Sequence, residues 1–322
     1  MRRRTLLTAA GTAVPASLLL AIDDALALTP APTGEPTPVD LRLARARHLW
    51  DTGRHTSLLA ELPGLLGDAH QAARTQTGVD HARLSACYSL ATQVLGKIGR
   101  YERARLTADR ATTYADLSGS PIASAAAARE LSIVLRHQDQ PAAAQRLVLA
   151  ALAEVEATGL TTGAQTAAYA QMLCTTAYTA ARGGDDTQAL AMITEARRAA
   201  RRLPATAPKD RLFRISPAAV DLYAVGVHWA LGDAGAALEA GRHLRPGQFP
   251  TPERTSRMHT DLARAWWQYG KPEQTARELL AALRVSPAEV RDRPSIRTIV
   301  DSLSTRHPYT PGVRELALAL NR

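Results

Sequence analysis

The sequence predicts an all-α protein: a right-handed superhelical solenoid of about six tetratricopeptide-like helix pairs with C-terminal capping helices. Three observations carry this. Of 322 residues, 46% are hydrophobic but only 4% aromatic. Ala and Leu supply most of that apolar content and are strong helix formers, while the β-branched and aromatic runs that strands need are nearly absent. Amphipathic segments also recur in pairs around a short break. The breaks fall at positions 53, 99, 139, 184, 232 and 270, at intervals of 38–48 residues. A tetratricopeptide unit runs about 34 residues, so these helices, or the links between pairs, are longer. A pair with one apolar face cannot bury it alone, so consecutive pairs must stack.

The chain divides into residues 1–38, an apolar segment with a Pro-rich linker, residues 39–286, the repeats, and residues 287–322, the cap. Met1–Ala27 carries Arg3-Arg4-Thr5-Leu6-Leu7, an apolar run interrupted by Pro15, and Ala25-Leu26-Ala27. On its own this segment reads as a twin-arginine export signal with a small-residue cleavage site, too short to span a membrane. Asp23 and Asp24 fit that reading poorly. Thr29–Pro38 holds four prolines in ten residues and reads as an extended linker.

In each pair, small residues after the turn let the two helices approach closely. The first pair is the weakest: Trp50, Gly53, Leu58, Leu62 and Leu65. Leu84–Ala115 is the clearest, with Tyr88 and Leu95, the turn at Gly99, Tyr101, and the small face Ala104, Ala108 and Ala111. The third has Leu131, Leu135, Asp139, Pro141, Ala144 and Ala151, and the fourth Gly183-Gly184, Ala189, Ile193 and Ala196. The fifth has Gly226, Gly232 and Ala237. In the sixth, Thr251–Leu283, the packing residues are Leu262, Ala263, Trp266 and Ala282 around Gly270 and Pro272. Ser118–Pro121, Pro204–Pro208 and Pro246–Pro252 are breaker-rich links. Beyond them, Ser286 reads as an N-cap with Pro287 at N1 and Glu289 at N3, opening a helix to about Ser304, and Pro311–Leu320 forms a last helix.

The net charge is +9, and only Lys97, Lys209 and Lys271 of the 39 basic residues are lysines. An Arg- and Ala-rich codon usage explains this without a partner. An acidic partner is the functional alternative, but the charge is spread along the chain. Cys87 and Cys174 lie in separate apolar stretches and read as buried free thiols, as in a reducing compartment. The nine histidines form no HExxH pair, and phosphate-binding Gly motifs and a GxSxG elbow are absent. The expectation is therefore a non-enzyme without cofactor or metal.

The exposed side of each first helix would line a concave groove. In register with the turns, this places Ser89, Gln93 and Lys97 there, then Arg129, Arg136 and His137, Tyr178, Trp229, and finally Arg257, Arg264, Trp267 and Gln268. Arg forks suit carboxylates or phosphates, and Trp and Tyr give contact area at low entropic cost. The expected ligand is an acidic or C-terminal peptide, a protein, or a small anion. The alternative is that these are ordinary solvated positions, with Trp229 and Trp267 in the core between repeats. A homodimer is a further option. Residues 1–38 leave no room for a helix-turn-helix, so DNA is expected only indirectly.

Several stretches resemble a known family: Asp80–Pro121, Ala167–Asp185 (AAYAQMLCTTAYTAARGGD), Ala230–Ala282 (ending RMHTDLARAWWQYGKPEQTARELLAA), and PAEVRDRPSIRTIVDSL near the C-terminus. They are similar to the C-terminal region of actinobacterial, especially streptomycete, Xre-type helix-turn-helix transcriptional regulators. The resemblance covers almost the whole chain from Arg2. It implies a tetratricopeptide-like sensing region that follows an RRTLL-like linker, with the Cro-like DNA-binding domain missing before Met1. On that reading Met1–Ala27 is an internal linker helix, the location is cytoplasmic, and the chain is a regulator's sensor scaffold. An exported scaffold for envelope proteins is the alternative, and an enzyme within the helical stack a weaker one.

Overall fold

The turn residues organise the architecture. In the computed structural model, which describes residues 14–35, 37–208 and 212–320, all six break positions, Gly53, Gly99, Asp139, Gly184, Gly232 and Gly270, have a positive φ of 55–86°. The residue after each one donates its N–H to the carbonyl five positions earlier, from Arg54 to Leu49 through Lys271 to Trp266, at 2.8–3.0 Å. This left-handed closure satisfies carbonyls that a helix end leaves bare, and Gly enters it without a Cβ clash. Asp139 is the one member that does so with a side chain.

The pairs these turns join are α2 (Val39–Asp51) with α3 (His55–Ala72), α4 (Gly78–Lys97) with α5 (Tyr101–Ser118), and α6 (Pro121–His137) with α7 (Pro141–Glu156). They continue as α8 (Gly163–Arg182) with α9 (Asp186–Ala200), α10 (Pro217–Ala230) with α11 (Ala234–Gly241), and α12 (Pro252–Gln268) with α13 (Pro272–Val285). Every first helix but α2, which follows Pro38, starts on a side-chain cap. Ser120, Ser216 and Thr251 each accept from an N–H three residues on and precede a Pro at N1. Thr162 and Gln165 form a reciprocal capping box. Ala104, Ala108, Ala111, Ala144, Ala189, Ala237 and Ala276 are fully buried among the packed helices, Ala108 against Leu131 and Leu135 of the next pair, where any larger side chain would push the helices apart. Each pair packs on the next, so the chain is an α-solenoid. No strand occurs among the described residues, and no helix among them is long and apolar enough to cross a membrane.

The N-terminal segment is built into this stack. The twin-arginine-like residues lie outside the described residues, but α1 (Ala16–Ala27) follows Pro15 and buries Leu19, Ile22, Ala25 and Leu26 against the first repeats. Asp23, awkward in a leader, forms a forked pair with Arg103 at 2.6 and 2.7 Å. The Pro-rich stretch is extended as expected, yet tied down. Thr33 donates its N–H and hydroxyl to Asp68 at 2.7 and 2.9 Å, and Gly67 lets the backbone of Ala31 lie against α3.

At the other end the structure corrects two expectations. The helix from Ser286 to Ser304 is two helices, α14 (Pro287–Arg291) and α15 (Pro294–Arg306), because Pro294 has no N–H to continue the first. The last, α16, spans Val313–Leu320. These helices and α13 form a separate apolar cluster around Leu279, Val290, Ile296, Val300, Leu303 and Leu316. Trp267 packs into it, with its ring 6.0 Å from His307. Trp266, expected as the packing residue, instead meets Tyr269 edge-on and joins no apolar cluster.

The stack also closes on itself. His55 Nδ1 lies 2.6 Å from Asp292 Oδ2, and Arg214 reaches Asp51 at 2.5 Å. Lys97, at the end of α4, pairs with Glu253 of α12 at 2.8 Å and with Glu289 of α14. The open groove expected from the repeat pattern is therefore roofed by the sixth pair and the cap.

Candidate functional site

Closure turns the concave face into a central cavity of about 290 Å³. The residue six before each turn faces it in five successive pairs: Gln93, Ile133, Tyr178, Gly226 and Arg264. Its counterpart in the first pair, Arg47, lines an adjoining cavity of about 110 Å³. Lys97, Arg129, Arg136, His137 and Arg257 also line the central cavity, and Ser89 the adjoining one. Trp267 and Gln268 do not, contrary to expectation: the capping helices cover Trp267, and Gln268 points to solvent. Trp229 backs the wall, with the Arg264 guanidinium stacked on its ring at 3.4 Å.

Among the described residues, eight cationic side chains face three carboxylates in this lining. The acids are concentrated on the α12 side. Asp261 receives Arg257 at 2.8 Å and both Arg264 and Arg293 at 3.3 Å. Burial alone would raise its pKa, but these three guanidinium groups outweigh that and hold the carboxyl well below its usual range. Glu253 is treated likewise: Lys97, then Arg254, overcome burial and bring it down to about 2. Glu289 lies fully buried behind, held by Arg293 at 2.8 Å and Thr260 at 3.0 Å.

The opposite wall, from α6 and α8, is cation-rich. Arg129 pairs with Glu130 and donates to the Tyr223 hydroxyl at 3.1 Å. Gln171 donates to the same oxygen at 2.9 Å, and Gln93 donates to Glu130 at 3.1 Å. These groups form the neck between the two cavities. Among the described residues Arg136 has only a hydroxyl partner, Thr179 at 2.9 Å, and it stacks over the Tyr178 ring at 4.8 Å. Arg182 stands exposed at the rim. Among the described residues neither is paired with a carboxylate.

Three titratable groups register the resulting positive field. Desolvation by packed neighbours, then Arg136 and Arg182, push the imidazole of His137, an exposed residue stacked on Tyr101 at 4.4 Å, down to about 4. Burial raises the Tyr178 phenol, but Arg264 and Arg136 outweigh it and bring the pKa to about 8. Tyr223 is lowered in the same way by Arg129 and Arg254. Tyr178 and Tyr223 thus register a field that favours negative charge, whereas burial raises the Tyr101 phenol against the opposing pull of Arg293. Tyr178 reaches its place because Gly226 has no Cβ: one would stand 3.3 Å from the ring. The arrangement presents guanidinium and phenol donors to the cavity. No group of three or more His, Cys, Asp or Glu that could hold a metal occurs among the described residues.

Sequence reasoning missed Arg182, Tyr223, Arg254, Glu253, Asp261 and Arg293. Arg182 was accessible, since it sits two residues before its turn, as do Lys97 and His137. Tyr223 lies nine before its turn, the same offset as Asp261. Arg254 and Arg293 carry no repeat signal, because closure of the stack brings them in.

No family model matches the chain, and no curated protein matches it. Among solved structures it is similar to BtubC (BKLC) from P. vanneervenii, at 15% identity and a TM-score of 0.44, over 77% of this chain and 91% of that one. A likeness this distant says nothing of what the chain binds.

Proposed function

We propose that this chain is the sensing scaffold of a regulatory protein and that it binds an anionic ligand in its central cavity. The carrying observation is the excess of cationic over acidic side chains lining the cavity, with neither Arg136 nor Arg182 paired with a carboxylate among the described residues. A cavity of about 290 Å³ sits at the lower end of small-molecule sites, which favours a small anion or one charged terminus of a peptide over a long segment. A ligand bridging the α6–α8 wall to α12 would tie the middle of the stack to the sixth pair, which Lys97 already joins to the second. Occupancy would thereby become a change in closure that a partner can read. The resemblance to Xre-type regulators supports a transcriptional role, with DNA contacted by another domain. The burial of Leu19, Ile22 and Leu26 supports an internal helix and a cytoplasmic location over a removable leader. A native N-terminus processed near Ala27 would refute that.

The test of ligand binding is equilibrium dialysis of the protein against small-molecule and peptide fractions, read by native mass spectrometry. The wild type should retain an anionic species that a variant carrying both Arg129→Glu and Arg264→Glu loses while keeping its helical circular dichroism. Equal retention by both proteins would end the cavity reading.

A further inference from the structure

We propose that the α6–α8 wall is a phosphate subsite, in which Arg136 and Arg182 take a phosphoryl or diphosphoryl group of a small organic ligand whose apolar body lies toward Ile133, Leu222 and Phe249. This rests on the cavity reading above and specifies its ligand. The two arginines occupy the same end of neighbouring first helices, the last and next-to-last positions of α8 and α6. Both line the cavity.

The other guanidinium groups of known geometry here are engaged. Arg257, Arg264 and Arg293 converge on Asp261, and Arg129 holds Glu130. Only on this wall do guanidinium donors face the space without a carboxylate among the described residues. Among the described residues, lining cations outnumber lining carboxylates eight to three, and the buried Glu289 behind them adds one more negative charge. A single carboxylate would leave most of that excess in place, whereas a phosphomonoester or diphosphate carries two or three charges. Its oxygens also match the forked donors of arginine. Tyr178 supports the group from below: its ring underlies Arg136, and its hydroxyl accepts from Arg264 at 3.2 Å. The apolar side chains Ile133, Leu222 and Phe249 also line the cavity, Ile133 one helical turn before Arg136 on α6.

The experiment is isothermal titration of the full chain with inorganic pyrophosphate, inorganic phosphate and tricarballylate, a polyanion without phosphorus. Pyrophosphate should bind more tightly than tricarballylate. Arg136→Gln and Arg182→Gln should each weaken it about tenfold or more, the loss of a charge-assisted pair, and Arg314→Gln on the last helix should not. Pyrophosphate binding that survives both substitutions but is lost in Arg254→Gln would overturn the subsite and leave the cavity reading standing. No pyrophosphate binding, or tighter binding of tricarballylate, would overturn the phosphate assignment, and the dialysis experiment then judges the cavity reading independently. Circular dichroism of each variant separates lost binding from lost folding.

Discussion

Replacing Lys97 with Met removes the cation that faces both Glu253 and Glu289 while keeping the length and volume of the stem. Both carboxylates are buried, at 5% and 1% exposure, and Lys97 joins the second pair to the sixth and to the cap. A carboxyl held from an ordinary value of 4.5 down to about 2 stabilises the folded state by about 3 kcal/mol at neutral pH. Arg254 retains part of that at Glu253, at 3.6 Å, and Glu289 adds a loss of its own. The expected destabilisation is thus about 3 kcal/mol at pH 7.5, within the range for breaking a buried pair from one side. The pH dependence has a definite sign. In the wild type the depressed carboxyl pKa gives a contribution fully present above the ordinary value and lost as pH falls toward 2. In the variant, burial without Lys97 raises the carboxyl pKa values, so protonation on acidification relieves the folded state. Urea unfolding of both proteins should therefore show a gap that narrows from pH 7.5 to pH 5. Hydrogen exchange should localise the loss to α4, α12 and α14. A difference below about 1 kcal/mol, or one independent of pH, would refute the idea that this buried contact closes the stack.

Three further outcomes follow from the same packing. Ile22→Ala should cost about 2–5 kcal/mol in urea unfolding, because Ile22 is 1% exposed in the core under α1; Asp23→Ala, which breaks only a solvated pair with Arg103, should cost under about 1 kcal/mol. Gly241→Ala should lower stability by about 1–3 kcal/mol despite better helix propensity, since the new Cβ would stand 2.5 Å from Leu262 Cδ2 and 3.2 Å from Val225 Cγ2; an unchanged unfolding midpoint would show that Leu262 yields freely. Burial pushes the Cys87 thiol up to about 12 and raises Cys174 as well, so at pH 8 neither should react with an aromatic disulfide reagent until urea is added, and a thiol titrating in the native protein would contradict their burial.

The repeat frame was legible because it depends on local chemistry. A residue that tolerates positive φ, a breaker or cap beside it, and small residues at helical spacing are readable within one pair, and all six turns were identified this way. The groove register was legible for the same reason as far as Arg264, since the offset from the turn sets which side of a first helix faces inward. It failed at Trp267 and Gln268, where the next neighbour is the cap and no further repeat follows. The split at Pro294 was written in the sequence but was obscured by the strength of the Ser286-Pro287 start signal.

By itself, then, the sequence determined the helix pairs, their turns and the inward stripe of Gln93, Tyr178 and Arg264, because helix periodicity and left-handed turns are properties of neighbouring residues. Only the tertiary structure decided that the stripe encloses a cavity. That outcome depends on Lys97 meeting Glu253 and Glu289, and His55 meeting Asp292, across 156 to 237 residues of chain, and on the accumulated rotation of six stacked pairs, which no single pair encodes. The same closure decided which arginines are neutralised by Asp261 and which, Arg136 and Arg182, remain without a carboxylate among the described residues.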